Sequence, residues 1–399
     1  MKYFKADIIF PVTSKPVYNG FVLTDDDGTI IKVANEEIID APCDLTPVLL
    51  NGMLLPGFIN THCHLELSYL KGLIPPGNGL ESFISALVAI RKNVQQHEIL
   101  KAIKNAEHEL YDNGIVAIAD ICNDNYTFSI KAGSKLYFHT LIEAFDLVKE
   151  QTESTFNRFI QLREELKKIA PANSSSSIVP HAPYSVTHGL FKRIADNFTG
   201  SNSLQSIHNQ ECAAEADLFI SGTGKLYEFF KSFGSAMEQF KPTGKNSIHS
   251  YLPFMNKDCN TLLVHNTYTT LEDIAWAEEV HKKLFWCFCP NANLYIENRL
   301  PQFENFIEAG VRCCLGTDSY ASNYNLSILD EIKTIAKHNP SIPAKTLIEW
   351  ATLNGAKYMG IEKKYGSIEP GKQPGLILIE NADAENIEFS AGSSLLKII

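Results

Sequence analysis

The stretch "MLLPGFINTHCH", residues 53–64, is an almost unbroken apolar run that ends in two histidines one residue apart. Alternate side chains of a strand share a face, so His62, His64 and, just beyond, Glu66 of "LELS" would project from one surface. Two imidazoles on one face can hold a metal ion, or they can be ordinary polar residues at a strand end. This stretch alone leaves both readings open. Its texture is more decisive, because a continuous apolar run describes a strand buried on both faces, as in a parallel sheet.

Seven more runs of this kind follow: "GIVAIADIC" (114–122), "KLYFHTLIEAF" (135–145), "SSIVPHAPYS" (176–185), "LQSIHNQE" (204–211), "TLLVHNTY" (261–268), "LFWCFCPNAN" (284–293) and "VRCCLGTDS" (311–319). Helix-like segments lie between them, among them 81–93, 156–170 and 270–283. The last opens with Thr270 and, three residues on, Asp273, a capping signature. Strands alternating with helices in eight repeats fit an α/β fold, a (β/α)8 barrel over residues 53–363. No Gly-rich loop follows the first run, which argues against a dinucleotide-binding sheet.

The ends read differently. Residues 1–52 hold short β-like runs separated by turns such as "DDDGT", and 364–399 again turn and extend. Together they are expected to build a small β-sandwich beside the barrel. "PANSSSSI" (171–178) reads as a loop. The Gly- and Pro-punctuated segment 221–260 reads as an insertion serving as a lid or substrate wall.

Composition narrows the partners. The chain has 399 residues, 45% hydrophobic and 20% charged, with 46 acidic against 35 basic side chains and no basic block. That balance argues against nucleic-acid binding and mainly supports solubility; the partner expected is a small-molecule substrate, with homo-oligomerisation left open. No run approaches the ~20 apolar residues that span a bilayer, and the start lacks a signal-peptide pattern, so a cytoplasmic location is expected. The nine cysteines are odd in number and mostly sit in apolar runs, as buried reduced thiols do. Cys287 and Cys289 are spaced too closely for a structural zinc knuckle.

The ends of the runs carry the chemistry. His62 and His64 end the first, His181 the fourth, His208 with Glu211 the fifth, His265 the sixth and Asp318 the eighth. A barrel gathers these ends at one mouth, so five of the twelve histidines meet an Asp and a Glu there. Each alone has a bland explanation; the whole pattern does not. Imidazoles with one carboxylate suit one divalent metal ion per subunit, zinc first and iron second, held by His62, His64, His208 and Asp318. No lysine sits at the mouth end of the third or fourth run to bridge a second ion. Such a site lowers the pKa of water from 15.7 to about 7. Asp318 and Glu211 would then move protons, and His265 would stabilise developing charge.

With those residues placed, the chain resembles the amidohydrolase superfamily, in its cytosine deaminase/chlorohydrolase-like branch. The resemblance rests on "PGFINTHCH", "VPHAPYSVT", "HNQE", "LLVHNTY", "CPNANLYI" and "GTDSYASN", and on the tail "TLNGAKYMGIEKKYGSIEPGKQPGLILIE". It implies the same four metal ligands, an acid/base role for Glu211, a hydroxide or substrate contact for His265, and a substrate contact for His181. Pro374-Gly375 departs from the usual Ala-Asp of the tail. "LELS" looks like the aminodeoxyfutalosine deaminase-type variant, with Glu66 touching substrate or bracing a ligand. Tyr184, Asn293, Tyr295 and Arg299 are further pocket candidates on strand-end loops. The implied activity is hydrolytic deamination of an aminated heterocycle: a purine, a pyrimidine or an adenosine-like nucleoside. Amide or imide hydrolysis and dechlorination are the alternatives, and a non-catalytic scaffold comes last.

Overall fold

The computed structural model describes every residue except 36–44, 93, 147–151, 172–173, 199–202, 233–236, 238–239 and 382–388. The eight apolar runs all form strands. The first four, β5 (Phe58–Cys63), β6 (Ile115–Cys122), β7 (Tyr137–Ala144) and β8 (Ser175–Pro180), pair in parallel in that order. The second four, β9 (Leu204–Asn209), β10 (Asn260–His265), β11 (Leu284–Phe288) and β12 (Cys313–Leu315), do the same.

The two sheets touch at both edges. Between β8 and β9, the His208 N–H donates to the His181 carbonyl at 2.9 Å. Between β12 and β5, Cys63 bridges Asp318, and the Thr317 and Asp318 N–H groups both donate to the His62 carbonyl at 3.0 Å. One apolar cluster draws side chains from all eight strands, with Ile59, Ala117, Leu141, Val179, Leu204, Leu262, Phe285 and Cys314 among them. A larger cluster lies between strands and helices. In it the helix Gln96–Asp112 buries Ile99, Ile103, Ala106 and Leu110, positions spaced for one helical face.

The contact between β12 and β5 depends on Gly316. A Cβ there would lie 2.8 Å from both the Cβ and the carbonyl oxygen of His62. Gly316→Ala should therefore push the two strands apart and cost about 1–3 kcal/mol, as overpacking does. Urea denaturation checks it; an unchanged midpoint would mean that the seam tolerates a methyl group.

The chain ends meet in a six-stranded sheet of order β14-β13-β4-β1-β2-β3. Its strands are β1 (Lys2–Ile9), β2 (Val17–Thr24), β3 (Ile30–Asn35), β4 (Val48–Pro56), β13 (Leu376–Glu380) and β14 (Ser394–Lys397). Among the described residues these strands pair as one hydrogen-bonded sheet, and the pairing does not establish the two layers of the expected sandwich. The single sheet comes from β4, which pairs with β1 on one side and β13 on the other, joining the two ends edge to edge. The opening stretch is thus two strands. Met53–Pro56 belong to the six-stranded sheet, and the chain breaks at Gly57, whose N–H donates to the Pro374 carbonyl at 3.1 Å.

Two other expectations meet the structure differently. Residues 172–173 of "PANSSSSI" lie outside the described residues, but Ser175–Ile178 are strand, not loop. Ser177 is buried there because its hydroxyl pairs with His139 at 2.9 Å and accepts the Leu204 N–H at 2.9 Å. The Thr270 cap forms as read, with Asp273 N–H donating to its hydroxyl at 3.1 Å. Eight described cysteines are free and buried, and Cys43 lies outside the described residues. Among the described residues no helix is long and apolar enough to cross a membrane.

Candidate active site

Strand ends deliver the ionisable groups, and the backbone is bent to do it. Four residues of β5, Asn60 to Cys63, lie opposite three of β6, Ile118 to Asp120, a bulge where the histidines leave the strand. His265, at the end of β10, and Asp318, just past β12, have φ of 73° and 55°. Left-handed backbone is uncommon for residues with a Cβ and persists where surrounding bonds enforce it. Here the Asp318 N–H is tied to His62, and the Asn266 N–H to the Asn209 carbonyl at 3.0 Å.

The result is a tight cluster. The Nε2 atoms of His62 and His64 lie 3.2 Å apart, and each is 3.6 Å from Asp318 Oδ1. The His62 and His208 rings stand 4.9 Å apart, and His265 is 5.4 Å from His208. Donor atoms of His62, His64 and Asp318, of His62, His208 and His265, and of His64, Glu143 and His208 lie, within each group, no more than 4.8 Å from one another. Burial, reinforced by the neighbouring His62, pushes His64 down to about 3, and burial pushes His265 and His181 down to about 4. Burial alone would raise Asp318, but the His62 hydrogen bond and the nearby His64 and His265 hold it far below the usual carboxylate range.

Hydrogen bonds fix how the rings are turned. His208 Nδ1 lies 2.8 Å from the His181 carbonyl, so that nitrogen carries the proton and Nε2 presents a lone pair. Asn293 Nδ2 donates to Thr267 Oγ1 at 2.7 Å, which leaves its Oδ1 facing His265 Nδ1 at 3.0 Å. His265 therefore donates from Nδ1 and keeps Nε2 toward Glu211, whose Oε1 is 3.5 Å away. Neutral imidazoles with converging lone pairs and one ionised carboxylate are the donor set a divalent cation needs. His62 Nδ1 is buried without a hydrogen-bond partner among the described residues.

The remaining expected residues divide. His181, Tyr184 and Glu211 line a cavity of about 280 Å³ together with His64, His208, His265 and Asp318. Glu66 and Asn293 stand behind its wall: Asn293 orients His265, and Glu66 accepts the Asn123 N–H at 2.8 Å. Tyr295 and Arg299 also lie off the wall, Tyr295 donating to the Ile74 carbonyl and Arg299 stacking on Tyr268. The Glu211 turn is held by Glu215, which accepts the Gln210 and Glu211 N–H groups at 3.0 and 3.2 Å.

Sequence reasoning missed most of the wall. Leu80, Phe83, Ile84, Leu87, Val88 and Arg91 form one stripe of the helix Leu80–Arg91, and all face the cavity. That helix is pinned at both ends, by Glu81–Lys225 at 3.4 Å and Arg91–Asp124 at 2.9 Å. Phe229 and Phe230, on the helix Lys225–Ser232 of the expected insertion, complete this side; residues 233–236 and 238–239 of the insertion lie outside the described residues. Glu143, on β7, also lines the cavity. A carboxylate inside the apolar "HTLIEAF" was the available signal.

Comparison with known proteins gives this arrangement a family. The sequence pattern of the Amidohydrolase family matches residues 53–394. The chain belongs to the amidohydrolase family. This amidohydrolase is 29% identical over 332 residues to the adenosine deaminase of Helicobacter pylori, covering 82% of this chain and 78% of that protein. It is 26% identical over 334 residues to the aminodeoxyfutalosine deaminase of a Nitratiruptor species, covering 83% and 79%. Its fold matches the crystal structure of Helicobacter pylori aminofutalosine deaminase in complex with methylthio-coformycin, with a TM-score of 0.84, 22% identity and 100% of both chains covered. It also matches an adenosine deaminase from Xanthomonas campestris with bound zinc, with a TM-score of 0.72, 20% identity, and 96% and 85% covered.

Proposed function

We propose that this amidohydrolase is a metal-dependent hydrolytic deaminase of a nucleoside bearing a 6-aminopurine, releasing ammonia. The observation that carries the reading is the convergence of His64, His208, His265 and Asp318 beside Glu211 in one cavity, with His62 buried against them. The curated relatives named as adenosine, aminodeoxyfutalosine and 5'-deoxyadenosine deaminases support it. The apolar cluster shared by all eight strands supports reading them as one closed barrel over residues 53–363. On that reading, residues 1–52 and 364–399 form a β unit beside it, which β4 extends to Pro56.

His62, His64, His208 and Asp318 would hold one divalent cation, zinc being the first candidate. Bound there, it would supply Lewis acidity and lower the pKa of water. The protein's own groups do the rest. Glu211 carries a proton to the ring nitrogen beside the carbon under attack. His265, oriented by Asn293, fixes the attacking oxygen through Nε2. Asp318 accepts a proton on the side away from Ser322, whose hydroxyl donates to Oδ2 at 2.5 Å. The apolar stripe from Leu80 to Val88, with Phe229 and Phe230, excludes water and leaves room beyond the base for an uncharged substituent.

Ammonia release from the zinc-loaded protein tests the reading, on adenosine, 5'-deoxyadenosine, 5'-methylthioadenosine and adenine, with cyclic amides and a chlorinated triazine as controls. Ammonia from a purine nucleoside is the expected outcome. Turnover of the controls alone would replace deamination with amide or carbon–chlorine hydrolysis.

A further inference from the structure

Glu211 hangs from a turn, not from a strand or a helix. A reacting group on a long side chain is aimed only as well as its backbone is held. Gln210, just before it, has a φ of 47°, in the left-handed region where a residue with a Cβ stays only if surrounding bonds keep it there. Those bonds are in place. The Gln210 carbonyl accepts the Tyr268 N–H at 3.0 Å, its Oε1 accepts the Thr269 hydroxyl at 2.6 Å, and its Nε2 donates to Asp273 Oδ2 at 2.9 Å.

The grip on Glu211 itself comes from Glu215, in the first turn of the helix Ala213–Ser221. Its two oxygens divide the work: Oε1 takes the Gln210 N–H at 3.0 Å and Oε2 takes the Glu211 N–H at 3.2 Å. Successive N–H groups aimed at one anion make a concavity that suits a carboxylate. The Ser247 hydroxyl adds a third donor, to Oε1. Glu215 is 1% exposed, and no cationic side chain pairs with it among the described residues. Those three donors therefore offset the cost of burying its charge. A glutamine could not replace it fully, because it has one acceptor oxygen and would turn its NH2 toward the second N–H.

Ser247 belongs to the segment 221–260, and so does its neighbour Asn246. Asn246 Nδ2 donates at 2.7 Å to Asp273 Oδ2, the same oxygen that holds Gln210. One part of the insertion, at Phe229 and Phe230, walls the cavity; another part, at Asn246 and Ser247, ties into the two carboxylates that fix the Glu211 turn. Glu215 does not line the cavity, so its influence on the reaction passes through Glu211.

We propose that Glu215, completed by Ser247 of the insertion, is the positioning residue that aims Glu211 at the reacting atoms; this rests on Glu211 carrying the proton in the deaminase reading.

The test is a double-mutant cycle on the zinc-loaded protein, with the best nucleoside of the panel as substrate. Glu215→Gln should lower kcat by about 30-fold and leave KM within about twofold of wild type, because a small misplacement of a reacting group is felt in the chemical step. Ser247→Ala, which removes one donor, should lower kcat by about fivefold. Placed in Glu211→Gln, either substitution should lower the residual kcat by under about twofold, since nothing is left to aim. Zinc content by elemental analysis should stay full throughout. A residue that only stabilises the fold would cost the same factor in both backgrounds. Equal factors, a loss confined to KM, or loss of zinc would overturn the positioning role while deamination stands. If Glu215→Gln does not fold, Ser247→Ala carries the same comparison. Activity of Glu211→Gln within about tenfold of wild type would overturn the proton carrier, and the positioning role with it.

Discussion

Glu211→Gln is expected to lower kcat by about 10³-fold while the protein keeps its full complement of metal. The substitution preserves shape. Residue 211 would keep its N–H bond to Glu215, and the amide would occupy the same buried space beside His265. What it loses is the ability to exchange a proton. Since Glu211 belongs to none of the three clusters of converging donor atoms, metal content should not follow activity down. Stopped assays for ammonia and elemental analysis of the same preparation decide the matter. Activity within tenfold of wild type would mean that another group moves the proton, and loss of metal would make Glu211 a ligand.

Asp318→Ala should act through the opposite property. It removes the only carboxylate from the expected ligand set and leaves the His62 and His64 imidazoles facing one another across 3.2 Å. With no anion to balance the ion's charge, affinity should fall by at least about 100-fold, the upper end of what even indirect perturbation of a metal site costs. Competition against a chelator measures that directly. A second readout is thermal: added zinc should raise the Tm of wild type, as any ligand of the native state does, and leave the variant's Tm unchanged. Full retention of metal by Asp318→Ala would remove the carboxylate from the set and with it the reading of this cluster.

The sequence carried the strands and the reactive side chains well, for a physical reason. Strands covered on both faces are written as apolar runs, and a His or Asp at the end of such a run stands out. Other features had weaker signatures. Leu80, Phe83, Ile84 and Leu87 repeat with the spacing of any helix that packs on a core, and nothing in that pattern says that the face opens on a cavity. Glu143 was hidden by position, a single carboxylate inside an apolar strand. The break at Gly57 was invisible because the residues on both sides are apolar, though they serve different sheets. Ser175–Ser177 read as loop because serine favours turns, while the structure buries Ser177 by giving its hydroxyl two partners. Glu66 and Asn293 were singled out by motif, but sequence spacing does not distinguish a side chain on a wall from one behind it.

The origin of the wall has a consequence for how this enzyme can change. Reactive groups sit on strand ends locked into the interior, whereas much of the cavity's apolar surface comes from two helices, Leu80–Arg91 and Lys225–Ser232, the first of them clamped by charge pairs at its two ends. Trading one apolar side chain for another along Leu80–Val88, or at Phe229 and Phe230, would reshape what fits without disturbing the imidazoles beneath. Descendants of such a chain could thus migrate from one nucleoside to the next by editing the roof alone, with the hydrolytic apparatus inherited intact.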